Sequence, residues 1–371
     1  SSAASDVYKR QMVSDVPICT FLSGGVDSSV VSAVCAAELK KQGKKLTTFS
    51  FDFIDNDKYF KANSFQPSQD RPYVDKMVSF LDSDHHYLEC DNKMQADLLY
   101  RSVDAHDLPC MADIDSSLQY FCEEVSHSHK VVLTGECADE VFGGYPWFHR
   151  EEMLNSGTFP WTPSLTPRKV LLKDDLVKSL HMDEYVKMIY DRSVSEINVL
   201  PSENEIETNR RRIGYLNIRF FMQTLLNRMD RTSMFSGLEA RVPFADRTLV
   251  DYVFNIPWEM KAKDGLVKNI LRQASKGLLP DEILFRRKSP YPKTYNPYYE
   301  NLLAKRLKEV LSDSASPLHS LLNLKQVSQF LDNPKDYGAP WYGQLMAGPQ
   351  MIAYLLQIEY FLRKYNVSIR I

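Results

Sequence analysis

An α/β fold, a mostly parallel sheet flanked by helices and followed by a helical half, is what three features of this sequence predict. Strand-like and helix-like periods alternate through the first 150 residues. Two of the apolar strand-like runs lead straight into glycine-rich, acid-bearing turns, the kind of turn that holds a ligand at the end of a parallel strand. From residue 210 onward helical periods dominate and strand signals are weak.

The elements follow in order. "PICTFLS" (17–23) is a short apolar run, and Val30, Val31, Val34, Cys35 and Leu39 then fall on one side of a helix that Gly43 closes. "LTTFSFDF" (46–53) is β-branched and aromatic, a second strand. Tyr73, Met77, Val78 and Leu81 mark another helix, and "HHYLEC" (85–90) a third strand. A helix through "SSLQYFCEEVSHS" precedes the strand "KVVLT" (130–134). "SGTFPWTPSLTPR" holds three prolines and reads as an irregular connection. Leu216, Phe220, Leu225 and Met229 suit one later helix, and Met351, Leu355, Ile358 and Leu362 the last. The expected division is a nucleotide-binding α/β core over 12–150, an irregular connection over 151–209 and a helical part over 210–371. Residues 1–11, "SSAASDVYKRQ", are polar and rich in small residues, and read as a non-native leader outside the fold.

Composition narrows the class. At 44% hydrophobic and 25% charged the chain is an ordinary globular one, and 45 basic against 48 acidic residues leave no surplus to attract nucleic acid. Six cysteines, at 19, 35, 90, 110, 122 and 137, form no C-x-x-C pair. That spacing argues against a zinc site and a disulfide framework, and for buried thiols in a reducing, cytoplasmic setting. The most apolar C-terminal stretch, "MIAYLLQIEYFL", contains Gln357 and Glu359 and suits a core helix better than a membrane span. His85-His86 and His127-x-His129 read as solvated surface histidines.

The chemistry is concentrated in two turns. In "FLSGGVDSSVV" the strand stops and the helix starts at Ser23–Ser29, where free N–H groups can take an anion. Gly24 and Gly25 permit a close backbone approach, and Ser23, Ser28 and Ser29 add hydroxyls. Neither a Walker loop nor a G-x-G-x-x-G fingerprint occurs. Asp27 would repel a polyphosphate unless a divalent cation lay between them; the plainer reading makes it a helix cap. "VVLTGECADEVFGGYPWF" (131–148) sets Glu136, Asp139 and Glu140 directly after a strand, where Asp139 could share a metal with Asp27; helix-dipole stabilisation is the alternative.

Ser-Gly-Gly-Val-Asp-Ser-Ser after an apolar strand resembles the pyrophosphate-binding loop of the ATP-pyrophosphatase superfamily. Its members cleave ATP between the α and β phosphates and adenylate a substrate; they share an adenine-nucleotide alpha-hydrolase-like (PP-loop) fold. "TGECADEVFGGY" is similar to the second signature of asparagine synthetase. "NRMDRTSMFSGLEARVPFAD" (227–246), "VKNILRQASKGLLPDEI" (267–283) and "RRKSPYP" (286–292) are similar to further segments of that family.

The resemblance implies an ATP-dependent carbon–nitrogen ligase that converts aspartate to β-aspartyl-AMP and then, with ammonia, to asparagine. It implies that Leu22, Phe51, Thr134 and Gly135 frame adenosine, and that Ser23, Gly24, Gly25, Asp27, Ser28 and Ser29 hold the β and γ phosphates. Asp27 and Asp139 would ligate Mg2+. Lys268 would neutralise charge on the α-phosphate, and Glu136 would sit at the intermediate, orienting ammonia or accepting its proton. Arg228 joins the catalytic set; for it and for Arg241 an exposed ion pair is the competing reading. Two departures stand out: Phe51 is larger than the aliphatic residue expected against adenine, and Cys137-Ala138 replaces a usual Gly-Ser.

Glutamine-hydrolysing members use an N-terminal cysteine nucleophile. Here the first cysteine, Cys19, lies in a strand, so the expectation is a synthetase part whose glutaminase domain is missing, taking ammonia free or from glutamine. A homodimer remains an open partner. The alternatives are a β-lactam synthetase-like carboxylate-adenylating enzyme, a non-catalytic ATP-binding partner of a glutaminase, and a tRNA-modifying enzyme, which the charge does not favour.

Overall fold

In the computed structural model, residues 2–62, 66–334 and 347–370 are described. They form two compact units that interleave along the chain: one runs to Asp91 and adds Leu118–Phe148 and Asn217–Tyr295, the other takes the rest. The first unit contains a five-stranded sheet in the order β3-β2-β1-β4-β5, with β1 Ile18–Phe21, β2 Thr47–Phe53, β3 Asp84–Cys90, β4 Val131–Leu133 and β5 Glu239–Arg241. Every pairing is parallel. The strand order reverses between β1 and β4, which opens a crevice at their carboxyl ends.

Both faces of this sheet are covered, as a parallel sheet requires. Ile18, Val131 and Leu133 pack with Val30, Val31 and Val34 of the helix α2 (Val26–Lys41). Cys19, Phe49, Phe51, Phe53 and Val132 pack on the opposite side with Leu118, Phe121, Cys122 and Val125 of the helix Asp113–Ser126. The alternation along each strand thus matches two buried faces. Gly43, at φ +67, closes α2 as expected: its N–H reaches Lys40 O at 3.0 Å and the Lys44 N–H reaches Leu39 O at 3.0 Å.

Three expectations are corrected. The stretch set aside as a leader contains the helix α1 (Ser2–Gln11), whose Val7 and Tyr8 are buried, with Tyr8 edge-on to Phe244 at 5.6 Å. Two apolar residues in a polar, small-residue context suffice to anchor it, and composition hid them. The strand β5 lies within the part read as helical; three residues are too few for a period to register. Residues 151–209 are largely helical, with Asp174–Leu180, Met182–Ser195 and Glu205–Leu216. Pro167 sits at the start of the short helix Thr166–Lys169, where its missing N–H costs nothing.

In the second unit Asn92–His106, Pro297–Ser312 and Gly348–Lys364 pack together through Leu99, Leu303, Leu307, Ile352 and Leu356. Gln357 is fully buried there and donates to Leu99 O at 3.1 Å, so the last helix is a core helix. No helix among the described residues is long and apolar enough to cross a membrane. All six cysteines are free thiols, and five of them are buried.

His85 departs from the surface role read for it. It is partly buried in β3 beside β2, with Thr48 Oγ1 2.7 Å from Nδ1 and Ser50 Oγ 3.0 Å from Nε2. Burial, and then the neighbouring His86, push it down to about 4. A histidine neutral in the fold and protonated in the unfolded chain stabilises the protein above about pH 6.5 and loses that contribution as pH falls through about 4. Urea melts at pH 7 and pH 5 are therefore expected to converge in His85→Gln relative to the unaltered chain; an unchanged pH slope would contradict this.

Candidate active site at the carboxyl ends of β1 and β4

The turn after β1 starts at Leu22, whose N–H donates to Phe49 O at 2.8 Å. Gly24 adopts φ +68, and a Cβ there would meet the Tyr73 backbone at 2.7 Å, so both space and conformation demand glycine. Gly25 then precedes α2, and Ser29 N–H makes the first intrahelical bond, to Gly25 O at 3.1 Å. The N–H groups of Val26, Asp27 and Ser28 thus have no carbonyl behind them within the helix. Ser28 braces the turn: its Oγ accepts from Ser23 N at 3.1 Å and lies 3.0 Å from Ser23 Oγ. Ser29 Oγ is buried and has no hydrogen-bond partner among the described residues.

The turn after β4 packs directly on this one. A Cβ on Gly135 would stand 2.5 Å from Ser28 N and 2.7 Å from Asp27 C. Thr134, also buried, accepts the Glu136 N–H on its Oγ1 at 3.3 Å. The helix Ala138–Phe142 then brings Asp139 to the same lysine that Asp27 meets. Lys268 Nζ lies 2.6 Å from Asp27 Oδ2 and 2.8 Å from Asp139 Oδ1, and Lys288 also pairs with Asp139. Lys268 is 2% exposed and opens the helix Asn269–Ala274 in a left-handed conformation, φ +57.

Electrostatics separates the two aspartates. Burial pushes Asp27 up, only partly countered by Lys268, with Asp139 adding to the rise. Burial also acts on Asp139, but Lys268 and Lys288 together hold it well below the usual carboxylate range. Lys268 is held up by Asp139 and Asp27 against its burial, and stays an ammonium. Glu140, behind Asp139, accepts from Tyr145 O–H at 2.5 Å; burial and then Asp139 push it up to about 7.

Arg228 is buried and ion-paired with Glu136, not an exposed helix arginine, and its guanidinium lies 5.9 Å from the Tyr291 ring centre. Arg241 does face elsewhere: its Nη1 donates to Gln11 O at 2.7 Å and Val13 O at 2.6 Å, tying β5 to the end of α1. The Leu22 side chain lies in the hydrophobic core. Phe51 fills an aromatic layer against Phe121 and Tyr291, centroids 5.6 and 6.0 Å away, and its size is spent on that packing.

Three residues that sequence reasoning passed over belong to this constellation. Arg286 donates to Ser23 O at 2.9 Å and Asp70 Oδ1 at 2.6 Å and lies 4.0 Å over the Tyr73 ring, clamping the first turn. Lys288 completes the charge cluster and lies 4.5 Å from the Tyr145 ring centre. Arg272 bonds Val267 O at 2.7 Å, Arg286 O at 3.1 Å and Leu284 O, fixing the segment that presents both lysines. The basic run "RRKSPYP" was the available signal, but no spacing rule links it to a turn some 263 residues earlier.

A parallel sheet whose switch-point crevice carries a glycine–serine turn, two carboxylates, one buried ammonium group and a second, partly exposed one defines an α/β protein with a candidate anion-binding site. The asparagine synthase family profile matches residues 3–363, and the chain belongs to that family. It is similar to asparagine synthetase [glutamine-hydrolyzing] 3 of Bacillus subtilis, 48% identical over 370 residues, 99% of this chain and 60% of that protein. Asparagine synthetase [glutamine-hydrolyzing] 1 of the same organism is 25% identical over 346 residues, 84% of this chain and 52% of that protein. The Rattus norvegicus asparagine synthetase [glutamine-hydrolyzing] is 25% identical over 293 residues, 77% of this chain and 41% of that protein. The chain thus spans 60% or less of the length of these curated relatives.

The contact at Gly135 is directly testable. A Gly135→Ala methyl group must move either β4's turn or the start of α2, at a cost of about 1–3 kcal/mol. Its melting temperature is expected to fall, and an unchanged one would show that the two turns need not touch.

Proposed function

We propose that this chain is the synthetase part of an asparagine-forming enzyme, adenylating aspartate with ATP and passing the activated carboxyl to ammonia. The single observation that carries this reading is the buried pairing of Lys268 with Asp27 and Asp139 at the end of two adjacent strands. The glutamine hydrolysis in the relatives' names is assigned to the part of their length that this chain does not span, so ammonia arrives free or from that activity.

The donor set suits magnesium. Two anionic oxygens, from Asp27 and Asp139, already converge on one cationic atom, and such hard carboxylate ligands are what Mg2+ takes. When bound there, Mg2+ would offset the charge that develops on the departing pyrophosphate. The amides of Val26, Asp27 and Ser28 and the hydroxyls of Ser23 and Ser28 bind the β and γ phosphates. Thr134 and Gly135, with the main chain around Leu22 and the Phe51 layer, line the nucleoside. Lys268 and Lys288 hold positive charge where the aspartate carboxylate must approach an anionic phosphate, the usual dominant source of rate. Arg228 fixes the Glu136 carboxylate, which orients the incoming ammonia. The acyl-adenylate hydrolyses readily, so the buried side chains that surround it also exclude water.

Incubation with ATP, magnesium and aspartate, with and without ammonium, tests the reading. AMP, pyrophosphate and asparagine are expected to appear together, whereas ADP and inorganic phosphate would mean a different bond is cut. Lys268→Met keeps the bulk and removes the charge; pyrophosphate release is expected to fall by on the order of 10²–10³. Glu136→Gln is expected to keep releasing pyrophosphate while asparagine formation drops, shifting the product ratio toward hydrolysed adenylate. Equal loss of both products would place Glu136 in adenylation instead. A carboxylate other than aspartate supporting pyrophosphate release, with ring closure and no need of ammonia, would favour the β-lactam synthetase-like alternative.

A further inference from the structure

The helical unit holds a cluster that the adenylation site does not use. The helix Asn92–His106 ends at His106, and the chain turns through Cys110 into the helix Asp113–Ser126, which carries Asp115 in its first turn. One imidazole nitrogen, the Cys110 sulfur and one Asp115 carboxylate oxygen all lie within 4.8 Å of one another. The search for C-x-x-C pairs missed them because the ligand types are mixed and their spacing is H-x3-C-x4-D.

The surroundings aim these groups at a shared point. His106 Nδ1 lies 2.8 Å from Ser102 O, and a carbonyl only accepts, so Nδ1 carries the proton. The other ring nitrogen, Nε2, lies 3.9 Å from Asp115 Oδ2. That backbone tether on Nδ1 is the arrangement that metal-ligating histidines make. Asp115 is 1% exposed; its Oδ2 accepts the Met111 N–H at 2.5 Å. Its Oδ1 is buried with no hydrogen-bond partner among the described residues. Cys110 Sγ accepts from Gln357 Nε2 at 3.2 Å, and the Cys110 N–H donates to Gln357 Oε1 at 3.2 Å. The nitrogen, the sulfur and the carboxylate thus face one another, an arrangement that a metal ion would complete by taking the place of the thiol proton.

We propose that His106, Cys110 and Asp115 bind one divalent transition metal of the zinc class, with a fourth position left for water or a small donor. The nitrogen–sulfur–oxygen donor set matches a borderline ion such as Zn2+ or Co2+ better than the hard Mg2+ of nucleotide chemistry. Bond lengths of about 2.0–2.3 Å require the three groups to draw in by roughly 1 Å, a movement within the reach of side-chain rotation. The ion would staple the end of one helix to the start of the next, with Gln357 of the last helix bracing the sulfur.

The full chain, stripped of metal with a chelator, would be titrated with Co2+. One equivalent is expected to bind, with a thiolate-to-cobalt charge-transfer band in the near ultraviolet that Zn2+ abolishes by displacement. Cys110→Ser, nearly equal in volume, is expected to lose the band while its circular dichroism stays unchanged. His106→Gln is expected to weaken binding by at least about 10-fold. Zn2+ should raise the melting temperature of the unaltered chain and leave that of Cys110→Ser where it was. Absence of a stoichiometric band in the unaltered chain overturns the proposal and leaves a hydrogen-bonded histidine–aspartate pair. A band that persists in Cys110→Ser overturns it equally, since the sulfur would then be one of the other five.

Discussion

Two carboxylates buried at neighbouring strand ends cannot share a crevice without positive charge between them, and Lys268 supplies it. Magnitudes show why a single pairing would not do. An ion pair at about 3 Å gains roughly 5 kcal/mol at an effective dielectric constant of 20, while each buried ion forfeits several kcal/mol of hydration. One carboxylate and one ammonium roughly break even. Asp139 gains a second attractive partner in Lys288, which is 30% exposed and so keeps part of its hydration. The surrounding backbone serves that cluster. Arg272 and Arg286 fasten the segment carrying both lysines to the first turn, and Gly135 lets the second turn sit against the first.

The division of charge within the cluster follows from the same geometry. Asp139 meets two ammonium groups and Asp27 one, and both are buried, so burial prevails at Asp27 and pairing prevails at Asp139. Asp139 is the fixed anion of the site and Asp27 the adjustable one. On the proposed reading both have a use: the fixed charge would keep the lysines in place, and the adjustable one would exchange its lysine partner for a metal ion.

The sequence exposed the parts of this arrangement that are local. An apolar run breaking at Gly24-Gly25 and another breaking at Gly135-Glu136 mark two strand ends by themselves, and both turns fall where the sheet reverses its order. Asp27 and Asp139 could be paired in advance because strand ends in one sheet are neighbours. Arg286 and Lys288 could not, since their placement depends on a late segment folding back on the first turn, and no periodicity encodes such a return. Strand β5 was lost for a related reason: three residues take their conformation from the Lys130 carbonyl and the β4 edge, not from their own side chains. His85 was misjudged because a polar residue was given to the surface when it has partners inside, and the exposed ion pair weighed against Arg228 is not what forms, since Arg228 is buried against Glu136.

Backbone conformation points to the same places as charge. Nine non-glycine residues among those described have positive φ, and six are Asp, Asn or His, types that tolerate the left-handed region. The other three are Ala112, Cys137 and Lys268. Each forfeits roughly 1–2 kcal/mol relative to a glycine. Cys137 stands at φ +69 where the family resemblance leads one to expect glycine, so that departure is a real strain, accepted at the start of the helix that carries Asp139. Lys268 adopts φ +57 so that its side chain leaves the helix start toward the two aspartates, and a glycine there would lose the charge. Ala112 falls between Cys110 and Asp115, where a left-handed residue reverses the chain sharply enough to return the carboxylate toward His106. Strain of this size persists only where neighbouring contacts over-determine the geometry. Two of the three positions lie in the crevice at the strand ends, and the third lies where, among the described residues, an imidazole nitrogen, a cysteine sulfur and a carboxylate oxygen come together.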